Sequence, residues 1–239
     1  METTATVLLK NKKEVPSEFD KIANKYDLAT YLSQGYMDDL RISAQRMNLK
    51  GNETVLDLCC GTGKSTLACL EQVPNGKVVG VDNSKEMLET AKQKLGSAYA
   101  GKVSFQLQDA MLLDFPDNSF DAIFMAYGIR NMPDYEKCVQ NLYRILKPGG
   151  TICFHEYSLA ENFYAKPYWA VMGYGFIVPF CTLLTGNFTI FNYLVKSVMT
   201  FLRPSVFKNL LAANAFKEVN AIPLKSWRKP LLHTFIAKK

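Results

Sequence analysis

Histidine is scarce in this chain, with only His155 and His233, too few for most histidine-built metal sites. The six cysteines, Cys59, Cys60, Cys69, Cys138, Cys153 and Cys181, show no Cys-x-x-Cys spacing. Cys59 and Cys60 are adjacent, which is poor geometry for a bridge. Neither a zinc site nor a disulfide framework is expected, and reduced thiols point to an intracellular protein. The first residues, METTATVLLKNKK, lack the apolar run of a signal peptide. The 28 basic residues exceed the 22 acidic ones to give a net charge of +6. That surplus mildly favours an anionic surface, but it is dispersed and lies apart from the aromatic residues, so no nucleic-acid partner is expected.

What is present is ordinary for a chain that buries a core: 48% hydrophobic and 21% charged residues, which exclude wholesale disorder, collagen and coiled coil. Residues 1–16 read as a frayed lead-in. From Ser17, a plausible N-cap, the spacing of Phe19, Ile22, Ala23 and Tyr26 predicts an amphipathic helix. A second helix is expected over about 35–48. Strand and helix then alternate: strands at 54–58, 77–82, 102–108, 120–126 and 151–157, helices at 64–72, 84–95 (capped by Ser84) and 135–146. That order demands a parallel sheet covered on both faces. Strand-like runs at 216–222 and 231–237, with no helix between them, should pair antiparallel at the sheet's edge.

One segment breaks the pattern. From Pro167 to Val195 there is no charged residue, and aromatic residues recur throughout: Tyr168, Trp169, Tyr174, Phe176, Phe180, Phe188, Phe191 and Tyr193. Length alone permits a membrane span. The strands that follow must return to the same sheet, so the expectation is a cap over an apolar substrate that also touches a bilayer.

The densest chemical signal is Asp57-Leu58-Cys59-Cys60-Gly61-Thr62-Gly63-Lys64-Ser65, which leaves a strand and enters a helix. Gly63-Lys64-Ser65 imitates the end of a phosphate-binding loop, but position 58 is leucine where that loop needs glycine. The dinucleotide fingerprint fails as well, because Thr66 stands where a third glycine is required. What remains is two glycines that let a ligand approach the backbone, and an acid, Asp82, at the end of the second strand, where a carboxylate can accept ribose hydroxyls. Asp57 puts negative charge beside the loop. It repels a pyrophosphate and suits a cationic sulfonium, which favours S-adenosylmethionine over a nicotinamide dinucleotide. Asp109-Ala110 follows the third strand, where an adenine amino group could be met.

On these residues, together with FPDNSFDAI (115–123), AYGIRNMPD (126–134) and RILKPGGTICFHEYS (144–158), the chain resembles the class I S-adenosylmethionine-dependent methyltransferases. More narrowly it is similar to the ubiquinone/menaquinone-biosynthesis C-methyltransferase family, from about Phe19 to the end. The resemblance implies an α/β, Rossmann-like seven-stranded sheet with its last strand antiparallel, N-terminal helices, and a helical hydrophobic cap inserted before the final hairpin. The expected division is 1–50 as a helical part of the substrate lid, 51–158 as cofactor-binding core, 159–203 as apolar cap, and 204–239 completing the sheet. S-adenosyl-L-methionine is the implied cofactor. Its candidate contacts are Asp57, Cys59, Gly61, Thr62, Gly63, Asp82, Asn83, Asp109, Ala110 and Ala126. The resemblance also puts Arg130, Asn131 and Tyr26 at the acceptor's reacting ring. The family's N-terminal signature is only partly kept: Tyr26-Asp27 remain, while Ala29, Thr30, Met37 and Leu40 replace its Met, Asn, His and Trp. His155 stands where an aliphatic residue is usual.

The expected reaction is methyl transfer to a hydrophobic acceptor, foremost C-methylation of a prenylated hydroquinone. A ring carbon becomes nucleophilic when a neighbouring hydroxyl gives up its proton, which calls for assistance. Arg130 stays protonated and better suits stabilising a phenolate. His155 or Glu156, at the end of the fifth strand, could be the base; the plainer alternative is a local turn for His155 and a lysine partner for Glu156. Two other classes of function stay open: N- or O-methylation of a phospholipid or terpenoid, and a non-catalytic lipid carrier on the same fold. The expected setting is the cytoplasm or a membrane surface.

Overall fold

The structure is a computed structural model that describes residues 11–23, 25, 27 and 35–239. The sheet is built around β1 (Thr54–Leu58), whose neighbours are β2 (Lys77–Asp82) and β4 (Phe120–Ala126), both parallel. β3 (Val103–Leu107) lies outside β2, and β5 (Leu146–Tyr157) lies beside β4. β6 (Lys217–Pro223) and β7 (Leu232–Lys238) finish a seven-stranded sheet of order β3-β2-β1-β4-β5-β7-β6. β7 is antiparallel to both of its neighbours, as expected of two strands joined without a helix.

Alternation along the strands sorts the core. Leu56, Leu58, Ile123, Met125, Ile152 and Phe154 enter one layer, while Val55, Ala122, Phe124 and Cys153 enter the other. Helices α1 (Val15–Asp20), α2 (Tyr36–Gln45), α3 (Lys64–Leu70), α4 (Lys85–Leu95) and α5 (Tyr135–Ile145) follow in chain order. α5 contributes Cys138, Val139, Leu142 and Ile145 to the first layer, and α2 contributes Leu40 and Ala44 to the second. Ser84 caps α4 by accepting the Met87 N–H at 3.2 Å, as its sequence position predicts.

Two local expectations need correcting. Ser17 does not cap the first helix, which begins at Val15 with Pro16 in its first turn; the Ser17 hydroxyl instead donates back to the Glu14 carbonyl. Proline's fixed φ suits that first turn, so the helix starts earlier than the capping pattern suggested. β5 also begins earlier, at Leu146, because Leu146 pairs with Phe120 across a register shift.

The uncharged segment forms α6 (Ala165–Met172), a π-helical turn at Gly173–Ile177, α7 (Val178–Thr185) and α8 (Phe188–Thr200). Trp169, Val178, Ile190, Phe191 and Val195 make a separate small core together with Val15 and Ile22. The Trp169 indole N–H donates to the Val195 carbonyl at 3.0 Å. The first helix and the residues just after it are thus fastened to the cap. α9 (Pro204–Ala213) returns the chain to the sheet, with Phe207 edge-on to Phe154 and Phe235.

Candidate active site

The strand order reverses between β1 and β4, and in open α/β sheets ligands bind outside the carboxyl ends of the strands at that switch point. A cavity of about 600 Å³ opens there, within the size range of small-molecule sites. Cys59 and Tyr127, which follow the ends of β1 and β4, have φ of 60° and 55°. Non-glycine residues held in that region cluster at functional sites.

One side of the cavity is the loop after β1. Cys59, Gly61 and Thr62 line it, as do Asp82, Asn83, Asp109, Ala110 and Ala126. Gly61 has φ +53°, and a Cβ added there would meet nothing within 4 Å, so the loop is open on that side. Asp82 accepts the N–H of Gly61 at 2.8 Å and that of Ser84 at 2.9 Å. A carboxylate has about four lone-pair sites, so two hydroxyls could still be accepted. Burial pushes the Asp82 carboxyl up, against the pull of those backbone N–H groups. Asp109 accepts the Met111 N–H at 2.8 Å. Thr62 is engaged elsewhere: its hydroxyl donates to Asp27 at 2.7 Å, and Lys64 and Lys94 pair with the same carboxylate. Asp27 thereby clasps the N-terminal segment over the loop.

Asp57 and Gly63 are not at the cavity wall. Gly63 (φ +88°) starts α3 and packs against α4, where a Cβ would come within 2.9 Å of Leu95. Asp57 is fully buried behind the loop. Its Oδ2 accepts the hydroxyls of Ser65 and Thr66 at 2.8 and 2.6 Å, and its Oδ1 has no hydrogen-bond partner. Desolvation raises its pKa to about 7. An orphaned buried carboxylate oxygen behind an open glycine turn, with Asp82 beside it, fits a cationic ligand that carries a ribose.

That raised pKa has a consequence for the ligand-free protein. Below pH 3.8 the folded and unfolded states both hold the proton. Between 3.8 and about 7 only the folded state holds it, so the unfolded state binds fewer protons and stability falls as pH rises. Relative to the parent, Asp57→Asn should gain on the order of 4 kcal/mol in unfolding free energy from pH 4 to pH 7. A gap that stays constant in urea unfolding across that range contradicts the burial described.

The cavity lining also includes Tyr127, Arg130 and Asn131, and the apolar residues Val15, Phe19, Tyr36, Met111 and Met132. Arg130 is buried and donates to the Tyr127 carbonyl at 2.6 Å, to Glu156 Oε1 at 2.8 Å and to Ser197 Oγ at 3.3 Å. Asn131 donates to the same Tyr127 carbonyl at 3.2 Å and accepts the Tyr193 hydroxyl at 3.0 Å. The cap therefore closes on this pair through Ser197 and Tyr193 of α8.

His155 and Glu156, the expected bases, do not line the cavity, and both are fully buried. They are neighbours on β5, so their side chains leave opposite faces of the sheet. Glu156 lies under Arg130; burial pushes its carboxyl up and the guanidinium opposes that shift. His155 goes to the other face, against Ser43 of α2 and Tyr127. Neither takes the plainer alternative: Glu156 pairs with an arginine rather than a lysine, and His155 caps no turn. Tyr26 lies outside the described residues.

Sequence reasoning missed Tyr127, Tyr36 and Lys12. Lys12 sits in the expected lead-in, yet it lines the cavity and donates to the Met132 carbonyl at 2.7 Å and the Tyr135 hydroxyl at 3.2 Å. Burial, with the charge of Arg130, lowers its pKa to about 8. No local pattern signals such a contact, which spans 120 residues of chain.

Solved structures share this fold. A [4+2]-cyclase, SpnF, superposes with a TM-score of 0.70 at 16% identity, covering 94% of each chain. A SAM-dependent methyltransferase from Aquifex aeolicus gives 0.62 at 17%, covering 88% of this chain and 96% of that one. One is a cyclase and the other a methyltransferase, so this likeness speaks of the fold alone. Sequence relatives are more telling. A demethylmenaquinone methyltransferase of Thermus thermophilus is 37% identical over 83% of this chain and 90% of its own length. The protein of that name from Lactobacillus johnsonii is 33% identical, over 87% and 86%. A ubiquinone/menaquinone biosynthesis C-methyltransferase of Geotalea daltonii is 31% identical, over 88% and 91%. The profile of the ubiE/COQ5 methyltransferase family matches residues 6–225. The chain belongs to that family and is an S-adenosylmethionine-dependent methyltransferase.

Proposed function

We propose that the protein methylates a ring carbon of a prenylated hydroquinone of the demethylmenaquinone type. The observation that carries this is a single cavity whose lining combines the acidic, glycine-turn residues with Arg130 and Asn131 among apolar residues. The names of the relatives point to the same acceptor. When bound, S-adenosylmethionine supplies an already activated methyl group. Asp82 would accept the ribose, Asp109 and Ala110 would meet the adenine, and Asp57 would face the positive charge from behind the loop.

The protein's work is then alignment and exclusion of water. Arg130, held by Glu156 and the Tyr127 carbonyl, presents fixed positive charge where a phenolate develops. Asn131 orients the ring. Lys12, with its pKa near 8, is the group on this wall suited to take the phenolic proton. A five-carbon isoprene unit contributes about 4 kcal/mol on burial, against about 1 kcal/mol for a typical hydrogen bond. The tail therefore dominates affinity and the polar cluster sets geometry. Purified protein given S-adenosylmethionine should methylate the prenylated hydroquinone and leave phosphatidylethanolamine unchanged. Turnover of the phospholipid alone overturns the assignment.

A lipid acceptor has to be reached. Residues 165–185 form one continuous, apolar helical rod of 21 residues, only 22% buried over its most apolar stretch. Trp169 and Val178 hold one side of it on the cap core, while Val171, Phe176, Phe180 and Leu183 stay exposed, as does Phe163 just before it. A rod packed on one side, with Lys166 exposed near its start, suits lying in the interface of an anionic bilayer better than crossing it. The chain should float with liposomes containing anionic lipid. Phe176→Ser with Leu183→Ser should abolish flotation and leave turnover of detergent-dispersed acceptor unchanged. A parent protein that stays with the soluble fraction removes the membrane claim.

A further inference from the structure

The turn between β6 and β7 carries side chains that the assignments above leave unused. From Val219 to the end of the chain there is no acidic residue, while Lys225, Arg228, Lys229, Lys238 and Lys239 are basic. Two of these are engaged at the far end of the hairpin. Lys238 pairs with Glu218 at 3.6 Å, and Lys239 donates to the carbonyls of Tyr143 and Leu146, each at 2.7 Å. Arg228 is engaged within the turn, by Asp39 of α2 at 2.9 Å. Lys225 and Lys229 are exposed, and neither side chain has a hydrogen-bond or ion-pair partner among the described residues. Between them stands Trp227, 43% exposed, whereas the other tryptophan of the chain, Trp169, is buried in the cap.

This tip is braced from inside. Leu224 and Leu231, at its two ends, are buried, and the Leu224 N–H donates to the Leu232 carbonyl at 2.9 Å. The N–H groups of Lys229 and Leu231 donate to the carbonyls of Ser226 and Arg228 at 3.1 and 2.8 Å. Ser226 has a φ of 65°, a conformation that serine rarely takes and that its surroundings must hold. The Arg228 guanidinium lies 4.5 Å from the centroid of the Trp227 ring, so its pairing with Asp39 also steadies the indole. A side chain ordered before docking loses little freedom on docking.

The place of the turn in the fold gives it a partner. Leu232, the first residue of β7, pairs with Tyr157, the last of β5, so the turn lies at the carboxyl end of the parallel strands, where the cavity opens. Leu231 packs with Trp169 and Val178 in the small core that carries the exposed rod of residues 165–185, and the Ala160 N–H donates to the Pro230 carbonyl at 2.8 Å. Lys166 is the one charged residue of that rod. Insertion of an apolar face is indifferent to the charge of the headgroups, whereas lysines are drawn to anionic ones. An indole suits the boundary itself, with an apolar body and a polar N–H. We propose that the 225–229 tip is a second contact with an anionic bilayer, in which Trp227 settles at the headgroup boundary and Lys225 and Lys229 meet lipid phosphates. This rests on the rod docking on a bilayer. The rod supplies insertion, and the tip supplies the preference for negative charge.

The test floats the parent, Lys225→Gln with Lys229→Gln, and Trp227→Ala on vesicles of phosphatidylcholine alone and of phosphatidylcholine with phosphatidylglycerol, with unfolding midpoints alongside. The parent should prefer the anionic vesicles, and that preference should fade between about 50 mM and about 500 mM salt. The lysine variant should bind anionic vesicles on the order of 20-fold more weakly, at roughly fivefold per charge, and phosphatidylcholine within about twofold of the parent. Trp227→Ala should weaken binding to both kinds of vesicle. All three proteins should turn over detergent-dispersed acceptor alike. A parent without the anionic preference overturns the proposal. So does a lysine variant within about threefold of the parent on anionic vesicles, a loss equal on both kinds, or Trp227→Ala binding as the parent does. If the parent binds neither vesicle, the membrane reading fails and the inference fails with it. If the parent binds and the lysine variant matches it, the inference fails alone.

Discussion

Glu156→Ala should destabilise the protein by about 3–5 kcal/mol and abolish turnover, because it leaves the Arg130 charge buried without its partner. Arg130 and Glu156 are among the most deeply buried charged side chains described, with side-chain exposures of 5% and 0% at a separation of 2.8 Å. The pair joins three parts of the fold: β5, the loop after β4, and, through Ser197, the cap. Two further donors reach the carboxylate, the Tyr157 N–H at 2.9 Å and the Arg130 N–H at 3.4 Å, so its loss also strands backbone groups. Replacing both partners by apolar residues, Arg130→Met with Glu156→Leu, should recover most of the stability, since a buried ion pair is often no more stabilising than packed hydrocarbon. It should not recover activity, because the charge proposed to face the acceptor is gone. Urea unfolding and kcat on the four proteins separate the two effects. A loss below about 1 kcal/mol in Glu156→Ala, the size expected of an exposed pair, contradicts the buried arrangement.

Much of the frame was legible in the chain. The largely apolar runs at 54–58, 77–82 and 120–126, each ending in a turn and a helix, fix a parallel sheet, and the two helix-free runs at the end fix the antiparallel edge. The loop after β1 was legible because a glycine turn and a strand-end acid are local features. The acceptor side was read less well, for physical reasons. Adjacent residues on a strand leave opposite faces, so the sequence shows that His155 and Glu156 part company but not that both are screened from the cavity. The backbone of Tyr127 has a positive φ that no residue preference announces, so its carbonyl's part in holding Arg130 and Asn131 was invisible. Lys12 reaches the site only through tertiary packing of a segment that looks frayed when read locally.

The second large effect concerns the cofactor end. Asp82→Ala should weaken S-adenosylmethionine binding on the order of 100-fold or more, the equivalent of two hydrogen bonds to a charged group at about 1.5–3 kcal/mol each. The carboxylate has a double task. It holds the Gly61 and Ser84 N–H groups, which shape the turn, and in the proposed function it would offer its remaining lone pairs to a ribose. Asp82→Asn keeps the size but has one acceptor oxygen for two N–H groups that use separate carboxylate oxygens, so it loses one of those bonds as well as ribose acceptors and should fall between the parent and the alanine variant. Folding should be affected less than binding, since burial already pushes this carboxyl up and its charge is costly to hold. Calorimetric titration checks the order; an alanine variant within threefold of the parent contradicts the ribose assignment.

The central claim, that one cavity brings an activated methyl group to the ring of a greasy phenol, meets its most direct test in where the methyl lands. Purified protein incubated with isotopically labelled S-adenosylmethionine and a prenylated hydroquinone should yield a product carrying the label on a ring carbon, as read by fragmentation in a mass spectrometer. Label on an oxygen, or no transfer while the cofactor is demonstrably bound, contradicts it.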